Sequence, residues 1–125
     1  MATRNRGARL GEVGEELARR HLESCGYHYV ERNWYCRAGE IDLVMRDGDE
    51  LVFVEVKARR GERAGRAEEA ISPAKARKLL AAGEWYVSDH PEFHDSLWRC
   101  DLVAITIQVS GPARIDHYVN AIVSG

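Results

Sequence analysis

Apolar residues recur with helical spacing in the first part of the chain. From about Ala8 to Cys25, Leu10, Val13, Leu17 and either His21 or Leu22 share one side of a 3.6-residue period, and Gly26 supplies the stop. Tyr27 to Asn33 is rich in aromatic and β-branched residues and predicts a short strand, followed by an irregular stretch from Trp34 to Gly39. The period then changes to two. Glu40 to Arg46 alternates, with Ile41, Leu43 and Met45 on one face and Glu40, Asp42 and Val44 on the other. Glu50 to Lys57 sets Val52, Val54 and Val56 against Leu51, Phe53, Glu55 and Lys57. Between them, Asp47-Gly48-Asp49 is a strong hairpin signal.

Ala58 to Ala70 reads as a Gly/Arg-rich loop. Ser72-Pro73 then opens a second helix, a capping residue followed by proline at the first helical position. Ala76, Leu79, Leu80, Gly83 and Tyr86 lie along one side of it, and it ends before Pro91. The long apolar run Leu97 to Val109 predicts a central strand, and Arg114 to Val123 a last strand after the Gly111-Pro112 turn. The order is α-β-β-β-α-β-β. The helical crossover is long enough for the third and fourth strands to lie parallel, which predicts an α/β fold with a mixed central sheet flanked by helices.

Length and composition narrow the class. A chain of 125 residues is expected to form one domain, 1–125, with residues 1–7 flexible. At 45% hydrophobic and 30% charged residues it has the balance of a soluble globular protein. No apolar run approaches the roughly 18 to 20 residues of a membrane span, and no apolar stretch follows the basic N-terminus as a secretory signal requires. Cys25, Cys36 and Cys100 are odd in number and form no close pair, which fits a reducing, cytoplasmic setting and gives zinc no CxxC ligands. His90 and His94 are separated by Pro91 and Glu92 in a loop, a poor frame for a zinc helix.

The net charge of −2 says nothing for nucleic acid, but its distribution does. Lys57 to Lys78 carries eight basic residues against three acidic ones, a local +5 that leaves −7 elsewhere. Such a segment is either a solvated loop or a surface for an anionic partner.

Hairpin parity decides which polar residues meet. A turn at Gly48-Asp49 places Asp42 opposite Glu55 and Glu40 opposite Lys57, whereas a turn at Asp47-Gly48 places Asp42 opposite Phe53 and Glu40 opposite Glu55. In both registers the four polar residues share a face. Facing carboxylates repel and call for a positive charge. Lys57 supplies one unit; Mg²⁺ or Mn²⁺ would supply two and suits oxygen ligands. The competing reading is a solvated sheet face bearing ordinary ion pairs, although Leu51 and Phe53 partly cover that face.

Gly39-Glu40-Ile41-Asp42-Leu43-Val44 and Phe53-Val54-Glu55-Val56-Lys57 resemble the PD…(D/E)xK signature of restriction-endonuclease-like nucleases. More narrowly, the chain resembles the small bacterial YraN-like family, related in fold to archaeal Holliday-junction resolvases. The similarity extends to Gly14-Glu15, Ala18, Leu22, Gly26-Tyr27, Asn33, Lys75, and Arg99 with Asp101. Ile41 stands where the signature has proline, a position at which the superfamily dispenses with it.

The resemblance implies a restriction-endonuclease-like core and a Mg²⁺- or Mn²⁺-dependent endonuclease. Asp42 and Glu55 match the metal-binding acids, and Lys57 matches the catalytic lysine that positions or activates the attacking water. The Val56 carbonyl would complete the protein ligands, and Glu15 matches a first-helix glutamate that reaches the metal directly or through water. Glu40 would be a partner of Lys57. Arg59, Arg60, Arg63 and Lys75 would hold phosphates without reading sequence. The expected partner is nucleic acid, DNA ahead of RNA, cut structure-selectively or non-specifically; junction resolution would need a homodimer. The alternative is a scaffold that binds nucleic acid or protein without cutting.

Overall fold

A computed structural model describes residues 6–61 and 71–123, the side chains of 6–8 excepted. Helix α1 (Arg6–Ser24) is followed by strands β1 (His28–Cys36), β2 (Gly39–Asp47) and β3 (Glu50–Arg60). Helix α2 (Pro73–Asp89), a 3₁₀ turn at Pro91–Phe93, and strands β4 (Trp98–Ile107) and β5 (Arg114–Ile122) complete the expected α-β-β-β-α-β-β order. The five strands lie in the order β1-β2-β3-β4-β5. All neighbours are antiparallel except β3 and β4, which the α2 crossover makes parallel.

Each face of the sheet buries its own apolar layer. Leu43, Met45, Val52, Val54, Val103 and Ile105 pack with Ala18 and Leu22 of α1. Ile41, Val44, Leu51, Phe53 and Cys100 pack with Leu79, Ala82 and Tyr86 of α2. A doubly covered sheet explains why Leu51 to Val54 are all fully buried although their side chains alternate. Among the described residues, no helix is long and apolar enough to cross a membrane.

The structure corrects four local readings. The apolar stripe of α1 keeps Leu17 and Leu22 on the core as expected, but it runs through Gly14 and Ala18, while Val13 is 43% exposed. Helix and sheet approach so closely there that a Cβ on Gly14 would stand 2.7 Å from the Ala58 Cβ, so small residues, not large apolar ones, mark the contact. The same helix starts at Arg6, two residues ahead of the start expected near Ala8. Trp34, Tyr35 and Cys36, expected to be irregular, continue β1 and pair with Ile41, Glu40 and Gly39. Finally, β3 runs on through Ala58, Arg59 and Arg60, held by parallel pairing to Ile105, Thr106 and Ile107. Hydrophobic alternation stops at Lys57, but the neighbouring strand supplies backbone partners beyond it.

Candidate functional site

The β2–β3 hairpin closes with Asp47 paired to Glu50, and Gly48 takes a φ of 62° at the first loop position. A two-residue loop with glycine first suits the right-handed twist of the strands. It selects the register that continues to Asp42 opposite Glu55. The regular pairing ends at Leu43 with Val54. Just beyond, the Val56 N–H donates to Asp42 Oδ2 at 2.9 Å, so a side chain takes the ladder's place.

A phase slip sets up this opening. Strict alternation would keep Ile41 with Leu43 and Met45, yet Ile41 packs on the α2 side and the other two on the α1 side. The slip falls opposite Asn33, which adopts a left-handed φ of 55° in β1. On either side of it, Arg32 reaches Glu16 of α1 whereas Trp34 packs against Tyr86 of α2. Asp42 sits at this step and aims into the gap between β2 and β3.

Glu55 points to the α2 face and is 2% exposed. Lys57 Nζ lies 3.8 Å from Glu55 Oε2, and Lys75 Nζ lies 3.4 Å from the same oxygen. Lys75 reaches it because Ser72 caps α2, its hydroxyl accepting the Lys75 N–H at 3.1 Å. No acidic residue occupies that first helical turn, so Lys75 adds to the positive end of the helix dipole. Burial, and then the charge of Glu55, push the Asp42 carboxyl up to about 8.

Glu15 approaches from α1. The Asn33 amide, oriented to donate, stands 3.2 Å from both of its carboxylate oxygens. Burial raises the Glu15 pKa, with Glu40 adding to the effect. Glu40 was expected beside Lys57. The slip instead places it near Glu15, where its hydrogen bond with Tyr35 raises the tyrosine's pKa. No described ion pair joins it to Lys57. Arg59 and Arg60 extend β3 beyond the site; Arg63 lies outside the described residues.

Two carboxylates and one carbonyl make an oxygen-only donor set. Within a strand the N–H and C=O of one residue point the same way, so the Val56 carbonyl leaves β3 on the side of Asp42. Mg²⁺ is commonly held by one or two carboxylates with water completing its shell. Among the described residues, no group of three His, Cys, Asp or Glu side chains is disposed to hold a metal, so a larger all-protein cage is not built here. Asp42, Glu55 and the Val56 carbonyl fit a hard cation of this kind.

Asn33 and Tyr35 join the site without a local pattern that marks them for it, and Lys75, expected among the phosphate contacts, also lies against Glu55. Arg99 and Asp101 form a different assembly on the α1 face. Arg99 bonds Asp101 at 3.0 Å, Glu50 at 2.6 Å and Tyr27 at 2.7 Å. His117 Nε2 lies 2.7 Å from Asp101, whose other oxygen accepts the Asn120 N–H. Burial works to raise the Asp101 pKa, but hydrogen bonds from His117 and Arg99 hold it below the ordinary value. This network ties β3, β4 and β5 together away from the carboxylate pair. Trp34 is a core anchor, its ring 5.0 Å from that of Tyr86, and His90 stacks on Tyr86 with its Nε2 3.8 Å from Glu31.

Fold and site define a mixed α/β protein with acids and lysines gathered where a hairpin opens. The model of uncharacterised protein family UPF0102 matches residues 14–105. A UPF0102 protein of Chloroflexus aurantiacus is 45% identical over 114 residues, covering 91% of this chain and 92% of its own. One from Frankia alni is 44% identical over 117 residues, covering 94% and 96%. One from Kineococcus radiotolerans is 47% identical over 109 residues, covering 86% and 88%. The chain belongs to the UPF0102 family, in agreement with the YraN-like membership expected from its motifs.

Proposed function

We propose that this protein is a Mg²⁺- or Mn²⁺-dependent endonuclease that hydrolyses phosphodiester bonds in DNA, structure-selectively or without sequence preference. The observation that carries the reading is the Asp42–Val56 bond beside a buried Glu55 flanked by two lysines. Carboxylates in a sheet interior are costly unless something offsets their charge. Here the lysines meet Glu55, while Asp42 still has its pKa raised and so retains affinity for a further cation.

Asp42, Glu55 and the Val56 carbonyl would hold the metal, with Glu15 acting through water. When bound, the cation supplies the Lewis acidity that phosphodiester hydrolysis uses. Lys57 orients the attacking water and places fixed positive charge where the phosphate oxygens become more negative. Lys75, the α2 N-terminus and Arg59, on the face of Lys57, hold the flanking backbone, contacts that carry no sequence information.

The test is cleavage of a labelled panel of duplex, flap, single strand and four-way junction, with Mg²⁺, with Mn²⁺ and with chelator, beside Lys57→Ala. Metal-dependent cutting that falls by at least about a hundredfold in Lys57→Ala supports the reading. Binding without cutting in both proteins overturns it in favour of a non-cleaving scaffold.

A further inference from the structure

One strand beyond Glu55 on the α2 face, an apolar cavity of about 270 Å³ opens between the N-terminal turn of α2 and edge strand β5. Leu102 lies at its base, with Ile71, Pro73 and Ala76 on one side and Tyr118 and Ile122 on the other. None of its lining residues is charged. Strand register explains its position. Glu55 pairs with Leu102, and Leu102 with Tyr118, so the three form one row across the sheet. Two strand spacings, about 10 Å, separate Glu55 from Tyr118. Ala76 directly follows Lys75, so one helical turn contributes both a cation over Glu55 and an apolar wall to the cavity.

We infer that this cavity receives one unpaired nucleobase, making a nucleic acid with an unpaired nucleotide beside the scissile phosphate the preferred substrate. The inference rests on the nuclease reading for the position of that phosphate. Three observations favour a base over other occupants. The volume lies just below the usual range of small-ligand cavities, roughly 300–1,000 Å³, and so suits one ring system. Cationic groups at one end and an uncharged slot at the other repeat the polarity of a nucleotide, with the sugar spanning the interval. Tyr118 is 38% exposed and offers an aromatic surface for stacking. A base inside a duplex has both faces covered by its neighbours, so only an unpaired or extruded one can enter. Apart from Tyr118, Ser72 is the one polar side chain of the lining; its oxygen accepts the Lys75 N–H in capping α2, which leaves a single O–H to offer a base. Recognition would therefore come mainly from stacking and tolerate different sequences.

The experiment measures binding in chelator by fluorescence anisotropy, using a blunt duplex, a duplex with a short flap, and the same flap with its unpaired bases removed. Wild type is compared with Tyr118→Ala, Tyr118→Phe and the slot-filling Ala76→Met. Wild type and Tyr118→Phe should bind the intact flap about tenfold more tightly than the abasic one, in line with base–aromatic stacking. Tyr118→Ala and Ala76→Met should erase that difference while leaving duplex binding unchanged. Equal binding of intact and abasic flaps by wild type overturns the inference, even if cleavage is seen. A base preference that depends on Tyr118 sustains the cavity as the seat of an unpaired base, and absence of cutting then overturns only the placement of a scissile phosphate beside it. Failure to bind any probe overturns both. Light scattering of the free protein completes the test: a dimer lost in Tyr118→Ala would assign the cavity to a second copy and overturn the nucleobase.

Discussion

Asp42 accepts the Val56 N–H at 2.9 Å just past the point where the β2–β3 ladder ends. The bond does two things at once. It satisfies an amide that the opening strands would otherwise leave without its ladder partner, and it fixes a carboxylate next to Glu55 in a partly buried gap. An amide side chain satisfies the first role but not the second. Asp42→Asn should therefore keep the fold, since its carbonyl oxygen still accepts from Val56, while weakening Mn²⁺ binding by about tenfold or more. Calorimetric titration with Mn²⁺ checks the binding and thermal unfolding checks the fold. Unchanged metal affinity would remove Asp42 from the site.

The same carboxyl predicts a pH dependence with a definite sign. Its folded pKa is raised from 3.8 to about 8, by burial first and Glu55 second. The folded state then holds a proton that the unfolded chain has released, so metal-free stability falls as pH rises from about 4 to about 8. Metal binding has the opposite trend, because cation and proton compete for the same carboxylate. In chelator, the wild-type melting temperature should drop across this window by more than that of Asp42→Asn. Mn²⁺ affinity should climb over the same range. A difference curve that is flat between pH 4 and 8 would show that Asp42 titrates normally.

How much of this was legible in the sequence depends on the kind of signal involved. Gly48 and the alternating runs around it specify the hairpin, and Ser72-Pro73 specifies the start of α2, because both are local backbone preferences. The slip at Asn33 and Asp42 left no such mark. A left-handed φ at an asparagine does not disturb hydrophobic composition, so period-two reading carried Glu40 to the wrong face. Parallel pairing extends β3 to Arg60 through partners more than forty residues away, which no local pattern encodes. The approach of Lys75 to Glu55 likewise needs the crossover to be built before it exists.

Gly14 offers a test of how closely α1 must sit on the sheet. In an exposed helix, Gly→Ala stabilises by about 1 kcal/mol through reduced backbone entropy. At Gly14 the added Cβ would meet the Ala58 Cβ at 2.7 Å, and neither atom is the end of a flexible side chain. Gly14→Ala should thus reverse the usual sign and destabilise by about 1–3 kcal/mol, as overpacking does. Urea unfolding measures it. The same displacement would move neighbouring Glu15, so Mn²⁺ affinity should weaken as well. Enhanced stability would mean that helix and sheet part without cost.

Finding Arg59 and Arg60 on a strand rather than in a loop separates their expected roles. Alternation along β3 puts Arg59 on the face of Lys57 and Glu55, and Arg60 on the α1 face with Val56 and Ala58. Both arginines are exposed, so neither needs its charge to support the core. Nucleic acid engaged at Lys57 can continue directly onto Arg59, whereas reaching Arg60 requires it to pass around the sheet. Arg59→Glu should weaken DNA binding and reduce the slope of log affinity against log salt by about 0.9 for each phosphate that the variant no longer neutralises. Arg60→Glu should have the smaller effect on both quantities, with the double reversal close to Arg59→Glu alone. Anisotropy titrations at several salt concentrations distinguish the cases. Equal effects of the two single variants would mean that DNA touches both faces of the protruding strand end, and no effect of either would confine phosphate binding to Lys57 and α2.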